Sequence, residues 1–411
     1  MNNSTHLEKL KLPSSFCFAP YTNLDLDQDG TWLPCFRSEL AQGSWKEYDI
    51  TETFNSSNIQ KVRTDLWKGK WPKNCEQCQA REQEGIKSTR QEYNEHLLEL
   101  ADNLDFVEDI KKAPQYSGIE NIHTLEIRPH NLCNLACGHC DPHSSSRWVK
   151  IKSNETKDQD FTKHLIDNPE YLKKFYTKAG NLKTVHFTGG EPLIYASSHK
   201  EWLNGIQNKH NIELRYHSNL NHNQLSTYQH EWEKFKHVKF FASIDTSQRY
   251  YEFFRFGSKW DRIDYNIDYL LKQKYEVVGT ITVNFFTMLD LVGLVKYLVA
   301  KNLQIHVAFV DAPGSLNIAY MSNEQKNKAI EQIAQAKLEI NYKEEWKEQR
   351  GHIALDKITE FIKGTWEVDK EKTRGDLTWR SDKQHPKQLA KLDYLDKTYQ
   401  KHGFKSSWTA L

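Results

Sequence analysis

The sequence predicts an α/β protein whose central strands form a parallel sheet. Between residues 119 and 320, short runs rich in β-branched and aromatic residues alternate with segments long enough to form helices. This alternation is typical of β-α-β units, in which each helix returns the chain to the same end of the sheet. The predicted strands are 123–129, 183–188, 212–217, 238–244, 276–284 and 304–310.

Length and charge limit the functions to consider. The 411 residues are enough for more than one domain. The 56 Lys and Arg residues nearly balance the 55 Asp and Glu residues, so bulk charge predicts no affinity for nucleic acid or membranes. The sequence shows neither an apolar run long enough to cross a membrane nor the apolar core of a signal peptide. We therefore expect a cytoplasmic protein without a membrane partner.

Three cysteines lie close together just after the first predicted strand, in the sequence Cys133-Asn-Leu-Ala-Cys137-Gly-His-Cys140. Three thiolates hold three corners of a cubane iron–sulfur cluster, whereas a complete cluster normally takes four. The remaining iron is then open to a small molecule. Taken alone, three close cysteines are also compatible with part of a zinc site or with chance.

A second motif, Gly-Gly-Glu-Pro at 189–192, ends the second predicted strand. Two consecutive glycines let the backbone approach a ligand closely. In this order, the two motifs closely resemble the signature of the radical SAM superfamily. The resemblance implies a [4Fe-4S] cluster that binds S-adenosylmethionine (SAM) at its open iron. The residues it assigns are Cys133, Cys137 and Cys140 as cluster ligands, and Gly189, Gly190 and Glu191 at the SAM amino group.

The resemblance sharpens the predicted fold to a partial (β/α)6, TIM-like barrel, with the site at the C-terminal ends of the strands. Polar residues at or just after later strand ends are further candidates for SAM or substrate binding, namely Ser218, Asn219, Ser243, Asp245 and Arg255. Arg255 is similar to a family arginine that pairs with the SAM carboxylate, which suits the fork of a guanidinium. For each candidate, a structural hydrogen bond is the alternative. We interpret His139 as a loop residue rather than a fourth ligand.

The other four cysteines lie near the N-terminus. A predicted hairpin, with its turn at 27–30, brings Cys17 and Cys35 together, and Cys75 and Cys78 form a C-x2-C pair. By ligand chemistry alone, four thiolates are also typical of structural zinc. The order of these cysteines resembles the start of SPASM and Twitch modules, which implies an auxiliary [4Fe-4S] cluster. Those modules usually follow the radical SAM barrel, whereas here the pattern precedes it.

We predict four parts: a Twitch/SPASM-like module at 1–87, a helical connector at 88–118, the radical SAM core at 119–320 and a helical C-terminal extension at 321–411. In the connector, Thr89 and Glu92 predict a capping box. In the extension, apolar periodicity predicts helices at 323–339, around 358–362 and at 387–402.

The cysteine count bears on the reaction. Three cysteines for the SAM cluster and four for the auxiliary cluster use all seven, so no thiol remains to return a hydrogen atom as in Cys-dependent epimerases. An auxiliary cluster ligated by four thiolates is then expected to accept an electron from the substrate. This predicts a net oxidation, either a dehydrogenation or the formation of a new bond.

The resemblance therefore implies an oxidoreductase that cleaves SAM to a 5′-deoxyadenosyl radical, with electrons from a reductant such as flavodoxin or ferredoxin. We favour a peptide or protein substrate, partly because a Trp-rich periphery would suit one. One alternative is a dehydrogenase or epimerase acting on a sugar or other small polar molecule. Another is a non-catalytic iron–sulfur or zinc-binding scaffold. A nucleic-acid substrate is not expected, because the sequence has no basic stripe.

Overall fold

The computed structural model describes residues 7–28, 30–35, 50–83, 87–100, 105–152, 175–176, 179–194, 196–310, 314–367 and 385–403. The chain divides into two units. The first unit contains residues 1–131, 160–216 and 226–238, and the second contains residues 132–159, 217–225 and 239–411.

The strands and helices follow one another along the chain, each kind numbered from the N-terminus. The strands are β1 (Asn23–Leu26), β2 (Trp32–Leu33), β3 (Thr124–Ile127), β4 (Ala136–Cys137), β5 (Thr184–Phe187), β6 (Glu213–Ser218), β7 (His237–Ser243), β8 (Arg255–Phe256), β9 (Glu276–Val283) and β10 (Gln304–Phe309). The helices are α1 (Ala19–Thr22), α2 (Ile50–Phe54), α3 (Ser57–Trp67), α4 (Glu76–Gln83), α5 (Thr89–Leu100), α6 (Asp105–Lys112), α7 (Ser146–Ile151), α8 (Ala196–Gly205), α9 (Gln229–Trp232), α10 (Gln248–Phe254), α11 (Trp260–Lys272), α12 (Leu291–Ala300), α13 (Asn323–Leu338), α14 (Glu345–Glu367) and α15 (His385–Lys401).

All six predicted strands are present, as β3, β5, β6, β7, β9 and β10, each within two residues of its predicted bounds. In the first unit, β1, β3, β5 and β6 run parallel in the order β6-β5-β3-β1. In the second unit, β7, β9 and β10 run parallel in the order β10-β9-β7. The predicted α/β class with a parallel sheet is confirmed.

The predicted N-terminal hairpin is also present. Strands β1 and β2 pair antiparallel, and the Gly30 N–H donates to the Asp27 carbonyl across the turn at 2.8 Å. Gly30 has a φ of 90°, a conformation that favours glycine. Strand β1 pairs in addition with β3, so the hairpin extends the parallel sheet of the first unit instead of folding apart from it.

The predicted connector contains two described helices, α5 and α6, with residues 101–104 outside the described part of the chain. The capping box at the start of α5 lies one residue earlier than Thr89 and Glu92. The Ser88 hydroxyl accepts the Gln91 N–H at 3.2 Å, and the Gln91 side chain accepts the Ser88 N–H at 3.0 Å. The Thr89 prediction was wrong because Ser88, not Thr89, is the residue that precedes the first helical turn.

In the second unit, α13, α14 and α15 confirm the predicted helical extension. Helix α14 packs along β10, where the rings of Phe309 and Phe361 stack with centroids 4.2 Å apart. Helix α13 begins with a capping box formed by Ser322 and Gln325. Within the described residues, we find no helix that combines the length and apolar character needed to cross a membrane.

Candidate functional site

The first group of thiols lies on a segment that we call the thiol loop, residues 133–140, in the second unit. Strand β4 lies inside this loop and pairs antiparallel with β8, which places Cys137 opposite Arg255. The Gly138 N–H donates to the Phe254 carbonyl at 2.8 Å. A Cβ atom at Gly138 would lie 2.6 Å from the Phe254 ring, so the close approach of the two segments requires glycine.

Two aromatic side chains fix the backbone of the thiol loop. The Trp148 indole N–H donates to the Cys137 carbonyl at 2.9 Å, and the Tyr399 hydroxyl donates to the Ala136 carbonyl at 2.8 Å. Both aromatic side chains are fully buried. The loop is therefore held by hydrogen bonds from buried side chains of α7 and α15, while Cys133 and Cys140 remain partly exposed.

Nitrogen donors approach the sulfur atoms of the thiol loop. The Leu135 N–H lies 3.4 Å from Cys133 Sγ, and the Asn219 side-chain amide lies 3.8 Å from the same sulfur. Arg255 Nη1 lies 3.7 Å from Cys137 Sγ. Such donors stabilise a thiolate relative to a thiol.

The pKa values of two thiols reflect this arrangement. The hydrogen bond with Cys140 lowers the pKa of Cys137, and the nearby Arg255 guanidinium lowers it further, against the effect of burial. The same hydrogen bond, together with burial, raises the pKa of Cys140. Cys137 is therefore the thiol of this pair that ionises more readily.

Arg255 and Asp245, two sequence candidates for SAM or substrate binding, form an ion pair with each other. Arg255 donates from Nε and Nη2 to Asp245 Oδ2 at 2.9 and 2.7 Å. Asp245 also accepts the Thr282 N–H at 2.9 Å through Oδ1. Both partners are buried, so the guanidinium beside Cys137 already has its charge balanced.

His139 does not take part in that ion pair, although its Nδ1 lies 3.7 Å from Asp245. Burial lowers the pKa of His139 to about 4, so the imidazole is neutral at neutral pH. Its ring lies beside the Phe254 ring, with centroids 5.5 Å apart. This position is that of a packed loop residue.

The remaining candidates at strand ends have structural partners. Asn219 donates to Asn134 at 2.9 Å, which ties the end of β6 to the thiol loop. The Ser218 hydroxyl accepts the Leu220 N–H at 3.0 Å, and the Ser243 carbonyl accepts the Tyr251 hydroxyl at 3.2 Å. The structure brings Asn219 to the cysteines and gives the Ser218 hydroxyl a local role, whereas the bond at Ser243 involves only its main chain.

The Gly-Gly-Glu turn lies in the first unit, directly after β5. Gly189 has a φ of 103°, and a Cβ atom there would lie 2.9 Å from the His130 carbonyl oxygen. The Gly190 N–H donates to that same carbonyl at 3.0 Å. Glu191 is buried and accepts the Leu193 N–H at 3.2 Å. Packing against residues 128–130 thus explains the glycine at 189 without a ligand.

The second group of thiols lines one cavity in the first unit, which we call the thiol cavity. Three segments supply the four thiols. Cys17 lies two residues before α1, Cys35 lies two residues after β2, and Cys75 and Cys78 lie where a 3-10 turn leads into α4. Apolar side chains, among them Val62 and Leu66, form much of the remaining wall.

These thiols affect one another. Burial raises the pKa of Cys17 well above its usual value, and the neighbouring Cys35 raises it further. Burial and Cys78 raise the pKa of Cys75 to about 12. The four thiols line one cavity and influence one another's ionisation, so a cation there would favour their thiolate forms.

Arg90, which the sequence did not single out, also lines the thiol cavity. It donates from Nε and Nη2 to the two carboxylate oxygens of Glu82 at 2.8 and 2.5 Å, and from Nη1 to the Phe16 carbonyl at 2.5 Å. Its guanidinium lies 5.3 Å from the centre of the Trp71 ring. Residue type alone could not identify Arg90, because α5 carries many polar side chains.

Within the part of the chain that the structure describes, no group of three or more His, Cys, Asp or Glu side chains is arranged to hold a metal ion. The donor chemistry nevertheless fits an iron–sulfur cluster at both places. Each group consists of weakly exposed thiols, and each has a buried guanidinium beside the sulfur atoms.

Two family models match the sequence. The model of the radical SAM superfamily matches residues 127–298, which include the thiol loop and the Gly-Gly-Glu turn. The model of the SPASM iron–sulfur cluster-binding domain matches residues 17–79, which include all four cysteines of the thiol cavity. A search of curated proteins found no match.

Solved structures show only distant similarity. anSMEcpe with bound AdoMet is 18% identical, with 51% of this chain and 59% of that chain covered and a TM-score of 0.39. Streptococcus suis SuiB bound to S-adenosylmethionine is 18% identical, with 70% and 64% covered and a TM-score of 0.39. TYW1 with a lysine-pyruvate adduct is 15% identical, with 53% and 73% covered and a TM-score of 0.33.

The matched part thus spans less than two thirds of the anSMEcpe and SuiB chains, and TM-scores this low add nothing to the assignment. The two family matches, which agree with the cysteine pattern, do carry it. They imply SAM, a SAM-binding [4Fe-4S] cluster and auxiliary iron–sulfur as cofactors. The chain therefore carries a radical SAM domain at residues 127–298 and, before it, a SPASM iron–sulfur cluster-binding domain at residues 17–79.

Proposed function

We propose that the protein is a radical SAM oxidoreductase that oxidises a peptide or protein substrate by dehydrogenation or bond formation. The observation that carries this proposal is the thiol loop, in which three cysteines lie within eight residues and N–H donors are directed at Cys133 and Cys137. When bound, the first cluster supplies an electron that cleaves SAM to a 5′-deoxyadenosyl radical, and the auxiliary cluster takes an electron from the substrate.

In this proposal the protein holds and shields the cofactors. Cys133, Cys137 and Cys140 hold the SAM-binding cluster, and the Gly-Gly-Glu turn binds the SAM amino group. Asn219 orients the start of the thiol loop through Asn134. Arg255 stabilises the Cys137 thiolate, and its ion pair with Asp245 prevents an uncompensated charge in the buried site.

The thiol cavity holds the auxiliary cluster in this proposal, and a Twitch-like module carries it. Arg90 offsets part of the negative charge of four thiolates, because its guanidinium lowers the pKa of both Cys17 and Cys75. Zinc is the alternative occupant, since it accepts the same ligands. Iron and zinc contents of the purified protein separate the two.

The peptide substrate rests on the resemblance to SPASM and Twitch radical SAM enzymes, which act on peptides, proteins or small polar molecules, and the SPASM match at residues 17–79 supports that resemblance. A peripheral grip by tryptophan gains no support. Trp32, Trp148, Trp202 and Trp232 are fully buried, and Trp346 is the one largely exposed tryptophan among those whose side chains the structure describes.

The test is anaerobic reconstitution with iron and sulfide, reduction with dithionite in the presence of SAM, and measurement of 5′-deoxyadenosine. We expect wild-type protein to form 5′-deoxyadenosine and a Cys133→Ala/Cys137→Ala/Cys140→Ala variant to form none. Flavodoxin or ferredoxin should replace dithionite. If wild-type protein binds zinc and never cleaves SAM, the enzyme proposal fails and a non-catalytic scaffold takes its place.

A further inference from the structure

One face of the parallel sheet in the first unit carries ionisable side chains in register. Asp25 on β1 lies opposite Glu126 on β3, and Glu126 lies opposite His186 on β5. Two residues further toward the carboxyl ends come Asp27 and Arg128. The alternate residues of these strands, such as Leu125 and Ile127, are buried and apolar, so the charged residues share the opposite face.

Three carboxyl groups on this face surround one guanidinium. We call Asp25, Asp27 and Glu126 the carboxyl cluster. Arg128 Nη2 lies 3.2 Å from Asp25 Oδ2 and 3.5 Å from Glu126 Oε1, and its Nη1 lies 3.7 Å from Asp27 Oδ2. Among the described lysines and arginines, Arg128 alone forms ion pairs with the cluster. One positive charge cannot balance three carboxylates.

Asp25 shows the imbalance most clearly. Its side chain is 0% exposed, and its Oδ1 has no hydrogen-bond donor among the residues described. Burial, and next the charge of Glu126, raise the pKa of Asp25 well above its usual value. A buried acceptor without a donor is costly, so a ligand that donates N–H bonds and brings positive charge would be favoured here.

The carboxyl cluster is partly exposed. The side chains of Glu126, Asp27 and Arg128 are 12, 17 and 24% exposed, whereas that of Asp25 is fully buried. A ligand would therefore reach Glu126 and Asp27 before Asp25. His186 Nδ1 lies 3.7 Å from Glu126.

The carboxyl cluster adjoins two places in the first unit that are proposed to bind cofactors, the Gly-Gly-Glu turn and the thiol cavity. On one side, the Gly189 turn packs on Arg128, since a Cβ atom at Gly189 would lie 3.4 Å from the Arg128 Cα. On the other side, Tyr93 lines the thiol cavity, and the charges of Glu126 and Asp25, together with burial and nearby thiols, raise its pKa. A molecule held at the cluster would lie near both.

We propose that the carboxyl cluster binds a cationic group of the substrate, an alkylammonium or a guanidinium. Asp25 and Glu126 accept its N–H bonds, and Arg128 keeps the three carboxylates from moving apart. This inference rests on the proposed function, because only an enzyme has a substrate to bind here. It narrows the substrate class to molecules with a positively charged side chain or amine. Neutral sugars and acidic peptides do not fit this site.

The test is equilibrium binding of n-pentylammonium compared with 1-pentanol, measured by calorimetry on the full chain with both clusters reconstituted. We expect the ammonium to bind about tenfold more tightly, the change that one good charge-assisted hydrogen bond produces. Glu126→Gln should reduce the ratio of the two affinities to about twofold or less. Asp25→Asn should do the same.

The matched control is Glu108→Gln, which removes an exposed carboxylate of the same unit and should leave the preference unchanged. Circular dichroism and iron content show whether each variant is folded, and Glu126→Gln keeps the test valid if Asp25→Asn does not fold. Equal binding of both probes to wild-type protein would overturn the proposal. So would an ammonium preference that survives in both variants.

Failure of this inference is distinguishable from failure of the proposed function. Probe binding does not require SAM cleavage, and 5′-deoxyadenosine formation does not require an ammonium probe. If the protein prefers the ammonium but does not cleave SAM, the cation-site proposal stands and the enzyme proposal fails. If it cleaves SAM but binds both probes equally, the enzyme proposal stands and the cation-site proposal fails.

Discussion

The thiol loop and the thiol cavity both bring several cysteine thiols together, but they do so in different ways. The thiol loop places three cysteines within eight residues, and its surroundings fix one short segment. The thiol cavity gathers four cysteines from three segments that span residues 17–78. The three cysteines of the thiol loop are close together in the sequence, although β8, α7 and α15 fix their backbone, whereas the cavity needs the hairpin, α3, α4 and α5 even to bring its cysteines together.

Both places have a buried arginine held by one carboxylate. In the second unit, Asp245 holds Arg255, and Arg255 contacts a sulfur. In the first unit, Glu82 holds Arg90, whose hydrogen bonds go to Glu82 and to the Phe16 carbonyl. The difference indicates that Arg255 acts on Cys137 by direct contact as well as through its charge, whereas Arg90 acts on the cavity thiols through its charge.

The largest expected effect is a loss of bound iron, measured separately for the thiol loop and the thiol cavity. Removing Cys75 and Cys78 together should lower bound iron from about eight to about four atoms per chain if, as proposed, each place holds one cubane cluster. SAM cleavage to 5′-deoxyadenosine should persist in this variant. Removing the three thiol-loop cysteines should cause the same loss of iron and abolish SAM cleavage.

Iron and sulfide analyses, with 5′-deoxyadenosine measured in parallel, check this pair of variants. Wild-type protein reconstituted in the same batch is the control. If the Cys75→Ala/Cys78→Ala variant lost SAM cleavage as completely as the thiol-loop variant, the two places would not be independent.

The next effect concerns the two ion pairs. Asp245→Ala leaves Arg255 buried without its counter-charge, and it frees the Thr282 N–H as well, so it should cost about 3–5 kcal/mol of unfolding free energy. Glu82 is 17% exposed, so water can reach the site after Glu82→Ala. That variant should cost only about 1–2 kcal/mol, a typical value for a charged hydrogen bond at a partly exposed site.

Urea denaturation of the metal-free protein measures both losses of unfolding free energy. Because no cluster is bound, cluster binding does not contribute to the measured values. An exposed pair, Lys328 with Glu324, supplies the control, and Glu324→Ala should change the unfolding free energy little. A larger cost for Glu82→Ala than for Asp245→Ala would reverse the comparison.

The sequence predicted what depends on local spacing. The six core strands followed from apolar runs, and the thiol loop followed from C-x3-C-x2-C. It did not predict what depends on distant contacts. The ion pair of Asp245 with Arg255 arises because β8 pairs with β4, a contact between segments that neither periodicity nor spacing reveals. Arg90 was missed for the same reason, because Cys17 is far from it in the chain.

The carboxyl cluster shows the same limit. Asp27 lies in the predicted turn at 27–30 and Asp25 just before it, and only the parallel pairing of β1 with β3 places them beside Glu126 and Arg128. An N-terminal module that extends the sheet could not be inferred from a pattern whose usual position is after the barrel. Side-chain clusters across parallel strands depend on register, which the sequence did not determine.

A smaller effect concerns the pH dependence of stability at a buried histidine of the first unit. His199 is fully buried beside the Tyr216 hydroxyl at 2.7 Å, and burial lowers the pKa of His199 to about 3. The unfolded chain takes up a proton below pH about 6.5, whereas the folded chain does not, so stability falls as pH decreases through this range. Between pH 7 and pH 5 this histidine should account for a loss of about 2 kcal/mol.

Urea denaturation of metal-free wild-type and His199→Phe proteins at both pH values measures that loss. The variant should lose about 2 kcal/mol less than wild-type protein between the two pH values, whatever its stability at pH 7. His210, an exposed histidine of the same unit, gives the control variant His210→Phe, which should lose as much as wild-type protein. Equal losses in wild-type and His199→Phe proteins would show that His199 is not kept neutral by burial.

The smallest expected effect tests whether the two arginines act differently. Arg255→Lys keeps the positive charge but removes the fork that contacts Asp245 and Cys137 Sγ together, so the reduced cluster at the thiol loop should be less stabilised. A loss of about 1 kcal/mol corresponds to a fall of about 40 mV in a one-electron reduction potential. Arg90→Lys should shift the potential at the thiol cavity by about half as much or less, since charge alone is retained there.

Redox titration followed by electron paramagnetic resonance measures each potential separately. The Cys75→Ala/Cys78→Ala background isolates the thiol loop, and the variant without the thiol-loop cysteines isolates the thiol cavity. Iron content must stay the same within each background, so that the potential and not the occupancy is compared. Equal shifts for the two lysine variants would mean that both arginines act only through charge, and the contact between Arg255 and Cys137 would then have no electronic role.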